Sequence, residues 1–164
     1  MKLYLVQHAK AASKEVDPER PLTEEGHRDI QKVAAFIRPL NLCVDYLWHS
    51  GKKRAAQTAE LLAEVVEIRK AQAAHDGLGP NDNVTALKDE LMSLQQDIMV
   101  VGHLPFVSKL ASLLLSGCES ANTVAFKQGG IVCLECCEEN QWQIGWMVTP
   151  ELILRGVNSH GKAQ

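Results

Sequence analysis

The sequence predicts an α/β fold: a three-layer sandwich with a mostly parallel central sheet and a C-terminal antiparallel hairpin. Three short apolar segments, at residues 2–8, 44–50 and 97–103, are typical of strands that are buried on both faces. Stretches with apolar residues three and four positions apart lie between these segments and indicate helices. The last part of the chain alternates apolar and polar residues around "EENQ", which predicts the hairpin.

Four helices follow from the apolar spacing, over residues 24–38, 52–65, 84–95 and 105–115. Thr23 is placed to cap the first of them, and Glu24 and Glu25 follow in its first turn, where the helix dipole favours negative charge. Pro39 ends that helix. Pro105 opens the last helix, because proline is favoured at the first helical position.

The length and composition indicate one globular domain. The chain has 164 residues, of which 46% are hydrophobic and 23% charged, and these fractions are typical of a soluble protein with a core. No linker or internal repeat divides the sequence. We therefore expect a single domain over residues 1–155, followed by a flexible tail over residues 156–164.

The charge balance argues against nucleic acid or an anionic membrane as the main partner. The formal net charge is −3 and the pI is about 6.1. No apolar run approaches the roughly 20 residues that a membrane helix needs, and the start of the chain is too short for a signal peptide before the first strand. These features predict a cytoplasmic protein.

The cysteines do not form a recognisable framework. There are five of them, an odd number with irregular spacing, which fits a reducing compartment. The run "CLECC" lacks the second C-x-x-C pair of a structural zinc site, and it alternates as a strand, with Cys136 on one face and Cys133 and Cys137 on the other. We interpret these residues as ordinary thiols.

Each of the three apolar segments ends in a histidine: "LYLVQH" in His8, "DYLWH" in His49 and "IMVVGH" in His103. Parallel strands deliver their carboxyl ends to one edge of a sheet, where α/β proteins bind ligands. Arg54 lies one turn into the helix after the second strand and can reach the same edge. For His49, which is followed by a Ser50 loop, a structural role is favoured; for His8 and His103 a functional role is favoured.

Two imidazoles, a guanidinium and helix N-termini at one edge make a pocket for an anion, and phosphate fits best. Arginine can grip two phosphate oxygens with its planar fork, and free N–H groups at helix starts favour negative charge. A neutral histidine can attack phosphorus and form a covalent phosphohistidine. The other interpretation of the three histidines is a metal site, although no carboxylate nearby has the spacing of a ligand.

The sequence resembles the histidine phosphatase (phosphoglycerate mutase-like) superfamily, and in particular its small phosphohistidine phosphatase branch. The similarity extends over about residues 2–155 and rests on segments in the right order: "LVQHAKA", "RPLTEEGH", "HSGKKRAAQTAELL", "VVGHLPFV" and the closing "WMVTPELIL". The first resembles the family's R-H-G/A motif, which contains the nucleophile. The second resembles R-P-L-T-x-x-G, the third S-P-x-x-R-A-x-Q-T-A, and the fourth V-G-H-x-P.

The resemblance implies a phosphoryl transfer in two steps without a cofactor or metal. His8 would attack, Arg54 and His103 would hold the phosphoryl group, and water would hydrolyse the intermediate. A carboxylate after the second strand region would be the general acid; Asp76 is favoured and Asp82 is the alternative, while the competing interpretation of Asp76 is a solvated loop acid.

The length of the chain bears on the substrate. Only 49 positions separate Arg54 from His103, which leaves no room for the large capping insertion of the mutase branch. An uncovered site favours a phosphorylated protein as substrate, such as a phosphohistidine on a histidine-containing phosphotransfer domain. Imidazole is also a good leaving group, so a weak general acid would suffice.

Two positions depart from the family pattern. Gln7 replaces the arginine before the nucleophile, so the phosphate site loses a charge and a bidentate donor. Gly51 replaces the usual proline of the third segment. Arg20 or Lys10 could supply the missing cation. Two functions therefore remain open: an active phosphohistidine phosphatase with a weakened or rearranged pocket, or a catalytically weak or inactive relative that binds phosphoproteins.

Overall fold

A single six-stranded sheet organises the chain in the computed structural model, which describes residues 1–153. Its strands are β1 (Lys2–Gln7), β2 (Cys43–His49), β3 (Glu67–Ala74), β4 (Ile98–Gly102), β5 (Ile131–Cys136) and β6 (Trp142–Val148). The helices are α1 (Glu24–Ile37), α2 (Lys53–Ala63), α3 (Val84–Leu94) and α4 (Phe106–Ser116). Short 3₁₀ turns cover Arg38–Leu40, Glu138–Asn140 and Pro150–Leu152.

The sheet is parallel in its first part and antiparallel at its end. The strand order is β3-β2-β4-β1-β5-β6. The pairs β3–β2, β2–β4 and β4–β1 are parallel, whereas β1–β5 and β5–β6 are antiparallel. This topology confirms the predicted fold class, including the C-terminal hairpin. It also brings the carboxyl ends of β1, β2 and β4 to one edge of the sheet.

Helices cover both faces of the sheet, so that the central strands have two separate cores. On one face Leu3 and Leu5 of β1 pack with α3 and α4. On the other face Tyr4 and Val6 pack with α1 and α2. Because successive strand residues point to opposite faces, a central strand must be apolar at every position. The continuous apolar run of β1 is explained in this way.

The predicted helices are all found, with ends that differ by one or two residues. Thr23 caps α1 as predicted, since its hydroxyl accepts a hydrogen bond from the Gly26 N–H over 3.0 Å. Pro105 lies one residue before α4, at its N-cap. One element is missing from the prediction: β3, "EIRKAQAA", is an edge strand whose residues are almost all exposed, and it therefore lacks the apolar signature of the other strands.

The predicted domain boundary at residue 155 and the predicted tail over residues 156–164 lie outside the described residues. Within residues 1–153, no helix combines the length and the apolar character needed to cross a lipid bilayer. The cytoplasmic location stays a prediction.

The cysteines are free thiols, and the strand alternation of "CLECC" is confirmed as far as Cys136, where β5 ends, so that Cys137 lies after the strand. Cys133 faces the α1/α2 core and Cys136 the α3/α4 core. The part of the chain that the structure describes contains no group of three or more histidine, cysteine or acidic side chains placed to hold a metal ion.

Candidate active site

The carboxyl ends of β1 and β4 lie side by side and bring the two predicted site histidines together. Gln7 pairs with Gly102 in the parallel ladder, and the His8 N–H donates to the Gly102 carbonyl over 3.0 Å. His103 directly follows Gly102. The ring centroids of His8 and His103 are 5.0 Å apart. The structure therefore brings together the pair that the strand ends predicted.

The His8 imidazole is buried, and both of its nitrogens have defined partners. Its Nδ1 lies 2.7 Å from the Ala9 carbonyl oxygen, which can only accept a hydrogen bond, so the ring proton is on Nδ1. Its Nε2 accepts a hydrogen bond from Nε of Arg54 over 3.3 Å. The lone pair of Nε2 thus faces the guanidinium group, so the nucleophilic atom lies next to a cation that can hold an anion.

Thr58 connects the loop after β1 to α2 and was not predicted as a site residue. Its buried hydroxyl donates to the Arg54 carbonyl over 2.8 Å and accepts from the Ala9 N–H over 3.1 Å. The contact fixes the residue after His8 relative to the residue that carries the guanidinium. The sequence signal that could have indicated Thr58 is a polar residue on the buried face of the helix, four positions after Arg54.

His103 is held by the turn after β2. Its Nε2 lies 2.6 Å from Oγ of Ser50, and that oxygen also accepts a hydrogen bond from the Lys52 N–H over 3.4 Å. The other ring nitrogen, Nδ1, is buried and has no hydrogen-bond partner among residues 1–153. Ser50 is a second residue that the sequence did not indicate as a site residue, because its role depends on the contact of its hydroxyl with His103.

Burial and neighbouring cations keep both histidines neutral. The pKa of His8 is lowered to about 4, mainly because burial disfavours the charged form, with Arg54 and Arg20 adding to the effect. The pKa of His103 is lowered to about 3 by burial and by nearby His8, Arg54, Lys52 and Arg20. Near pH 7 the His8 ring is therefore neutral, with its proton on Nδ1 and none on Nε2.

The loop before α1 brings Arg20 to the same site. Ala11 and Leu22 form an antiparallel bridge, so the chain folds back on itself between them. Arg20 lies in this loop with a left-handed backbone (φ 49°), and its Nε donates to the Ala12 carbonyl over 3.1 Å. Arg20 and Arg54 line one open cavity of about 690 Å³.

Lys10 points elsewhere. Its ammonium group forms an ion pair with Glu25 at the start of α1, and both side chains are about half exposed. Of the two cations that the sequence suggested as substitutes for the missing arginine, Arg20 therefore lies at the site and Lys10 is already paired with a carboxylate.

Gln7 occupies the position of the family arginine, and its amide side chain carries no charge there. The residue is only 7% exposed. Oε1 is buried and accepts no hydrogen bond from the residues that the structure describes. A buried amide oxygen without a partner costs about 1–3 kcal/mol, and this oxygen can accept a hydrogen bond but cannot donate one to a phosphoryl group.

The carboxyl candidates lie in the loop between β3 and α3. Oδ2 of Asp82 accepts the Gly79 N–H over 2.7 Å and stabilises the loop itself. Asp76 is exposed, and within residues 1–153 its carboxyl group takes part in no hydrogen bond. The loop runs beside the end of β4, since the Leu78 carbonyl lies against Gly102. Asp76 thus stays the candidate acid.

His49 and Gly51 shape the turn that leads into α2. Nδ1 of His49 accepts the Gly51 N–H over 3.1 Å, which fits the structural role favoured for this histidine. Gly51 has φ +85°, a left-handed backbone that proline cannot adopt. The replacement of the family proline therefore reflects a different turn.

Three comparisons describe what the chain is similar to. The family model for the histidine phosphatase superfamily (branch 1) matches residues 3–77. An uncharacterized protein of Picosynechococcus sp. is 29% identical over 141 residues, which are 82% of this chain and 84% of that protein. Phosphohistidine phosphatase SixA of Escherichia coli is 23% identical over 155 residues, or 92% of this chain and 94% of that enzyme.

The solved structures support the fold. The protein histidine phosphatase SixA complexed with tungstate superposes with a TM-score of 0.82 at 21% identity, over 94% of this chain and 100% of that chain. A match over 94% of this chain extends beyond residues 3–77.

Proposed function

Because the chain belongs to the histidine phosphatase superfamily, we propose that it is a phosphatase that removes the phosphoryl group from a phosphohistidine on a protein, through a covalent phosphohistidine on His8. The observation that carries this proposal is the state of His8: Nδ1 is bound to the Ala9 carbonyl and Nε2 faces Arg54. The similarity to phosphohistidine phosphatase SixA, whose structure holds the tetrahedral oxyanion tungstate, supports it.

In the first step the Nε2 lone pair of His8 attacks phosphorus. The bond between phosphorus and the substrate's imidazole nitrogen breaks, and that nitrogen takes up a proton from the general acid. Arg54 and Arg20 stabilise the negative charge on the equatorial oxygens, and the neutral His103 donates or accepts one hydrogen bond. The hydrogen bond from Nδ1 to Ala9 holds the developing positive charge of the His8 ring.

In the second step water attacks the same phosphorus, and the bond to Nε2 of His8 breaks. Inorganic phosphate leaves, and the proton of the water passes to the carboxylate that acted as the acid. We assign this role to Asp76, because Asp82 is committed to the Gly79 N–H. An exposed carboxyl suffices, since a protonated imidazole is a good leaving group.

An open site favours a protein as the substrate. Between Arg54 and His103 the chain forms only the rest of α2, then β3, the loop with Asp76, α3 and β4, with no inserted element beyond these. A histidine on the surface of a phosphotransfer domain can reach such a site. A small phosphate ester would leave most of the cavity unfilled.

Gln7 favours a second candidate function, a relative that binds phosphoproteins and hydrolyses them slowly or not at all. The amide is neutral where the family has a guanidinium, and charge-assisted hydrogen bonds are roughly twice as strong as neutral ones. The loss corresponds to about 10²–10³ in rate if no other cation replaces it. Arg20 at the same cavity is the replacement that the first proposal requires.

A phosphatase assay separates these functions. The full chain is incubated with a phosphorylated histidine-containing phosphotransfer domain and, in parallel, with p-nitrophenyl phosphate, and released phosphate is measured. We expect faster release from the domain. Activity on the small ester together with none on the domain would overturn the proposed substrate, whereas binding of the domain without turnover would establish the second function. His8→Asn provides the background for each substrate.

A further inference from the structure

The cavity at the active site is strongly basic although the chain is acidic overall. We define the basic rim as Lys14, Lys52 and Lys53, which line the cavity of about 690 Å³ together with Arg20 and Arg54. Glu19 is the one acidic residue among the lining residues. The formal net charge of the whole chain is −3. Positive charge is thus concentrated where the phosphoryl group must enter.

Most of the rim is not neutralised by neighbouring carboxylates. Lys53 forms an ion pair with Glu19, with 3.0 Å between Nζ and Oε2. Within residues 1–153, no ion pair involves Lys14, Arg20 or Lys52. Clustered cations repel each other, so a structural role does not explain why these side chains lie close together. Binding of an anionic ligand explains their clustering.

The basic rim is continuous with the catalytic residues. Arg54 lines the cavity and donates to His8. The Lys52 N–H bonds to Ser50, which in turn contacts His103. A substrate whose phosphoryl group lies against His8 would therefore place its flanking groups over the rim.

We propose that the basic rim is a second subsite, which selects phosphoproteins with acidic side chains next to the phosphorylated histidine. This inference rests on the proposed function and names its substrate class. The lysines are exposed and carry flexible point charges, whereas a compact second phosphate is best held by a bidentate arginine fork. Dispersed carboxylates on an extended segment match exposed lysines spread over an open cavity.

The test uses two chemically phosphorylated histidine peptides of equal length, one with glutamates and one with glutamines on both sides of the phosphohistidine. The measured quantity is the ratio of their kcat/KM values with the full chain. We expect the acidic peptide to be preferred about tenfold at low salt, and the preference to shrink toward one at about 1 M salt.

Two variants move the ratio in opposite directions. Lys14→Gln combined with Lys52→Gln removes two unpaired cations and lowers the ratio about three- to tenfold. Glu19→Gln releases Lys53 from its ion pair and raises the ratio about twofold. The matched control is Lys70→Gln with Lys109→Gln, two exposed lysines outside the cavity, which leaves the ratio unchanged.

The outcomes separate this inference from the function on which it rests. Equal kcat/KM values for the two peptides, with normal hydrolysis of both, overturn the acidic-segment subsite and leave the phosphatase intact. No hydrolysis of either peptide by the folded chain contradicts the proposed function itself. Inhibition by a small bisphosphate at least tenfold stronger than by phosphate, with no peptide preference, assigns the rim to a compact second phosphate and overturns the proposal.

Discussion

Nε of Arg54 donates a hydrogen bond to Nε2 of His8 across 3.3 Å, so the guanidinium and the nucleophile are already in contact in the free protein. The arrangement has two effects. The hydrogen bond engages the lone pair of Nε2, and the positive charge of the guanidinium disfavours protonation of the ring. An incoming phosphoryl group meets its nucleophile and its cation at the same place.

Arg54→Lys tests whether the fork matters as well as the charge. A lysine keeps the positive charge but has no planar pair of donors that could serve both Nε2 of His8 and a phosphoryl oxygen. We expect kcat/KM for a phosphohistidine substrate to fall about 10²-fold, and about 10³-fold for Arg54→Ala. Steady-state kinetics measure both. Wild-type rates in Arg54→Lys would show that charge alone is sufficient.

Gln7→Arg tests the departure from the family pattern. Restoring a guanidinium adds charge-assisted hydrogen bonds to the phosphoryl group, so we expect kcat/KM for p-nitrophenyl phosphate to rise at least tenfold. Arg20→Gln tests whether Arg20 replaces the missing arginine. We expect this substitution to lower kcat/KM more in the wild type than in the Gln7→Arg background. A Gln7→Arg variant with unchanged kcat/KM, and a full cost of Arg20→Gln in both backgrounds, would contradict this interpretation.

Gly51→Pro restores the family residue and should nevertheless be harmful. Proline fixes φ near −65°, whereas Gly51 has φ +85°, and it removes the N–H that bonds to His49. We expect the free energy of unfolding to fall by about 2–4 kcal/mol, measured by urea denaturation. Gly51→Ala keeps the N–H, and we expect it to lower the free energy of unfolding by about 1 kcal/mol because of the left-handed backbone. Equal stability of the proline variant and the wild type would exclude this account of the turn.

The lowered pKa values of His8 and His103 make stability depend on pH. Both are below the value of 6.5 expected in the unfolded chain, so below pH 6.5 the unfolded state binds more protons than the folded state. Their contribution is complete above pH 6.5 and is lost as the pH falls toward 4 and 3. We expect a loss of about 3 kcal/mol between pH 7 and pH 5, measured by urea denaturation.

Single substitutions assign that loss. His8→Asn and His103→Asn each remove one titrating group, so each variant should show about half of the pH dependence of the wild type. An unchanged dependence in both variants would place the effect at other residues.

The strand ends made much of the site predictable, because parallel strands with continuous apolar runs must share one edge. His8, His103 and Arg54 meet there as expected. Thr58 and Ser50 were not predicted, since each acts through hydrogen bonds that depend on how loop and helix pack. The edge strand β3 was missed because exposed side chains leave no apolar pattern. The assignment of the general acid stays a prediction: the sequence favoured Asp76, and the contact of Asp82 with the Gly79 N–H is a turn interaction that no sequence pattern reveals.

Trapping the covalent intermediate tests the central claim most directly. The full chain is mixed for milliseconds with a ³²P-phosphohistidine phosphotransfer domain, quenched in alkali, and separated from the donor. Wild-type protein should carry label that is stable in alkali and lost in acid, located on the peptide that contains His8. His8→Asn should carry none, and His27→Asn, an imidazole on α1, should label like the wild type. Label retained by His8→Asn, or phosphate release from the wild type with no labelled protein at any time, would contradict a phosphohistidine on His8.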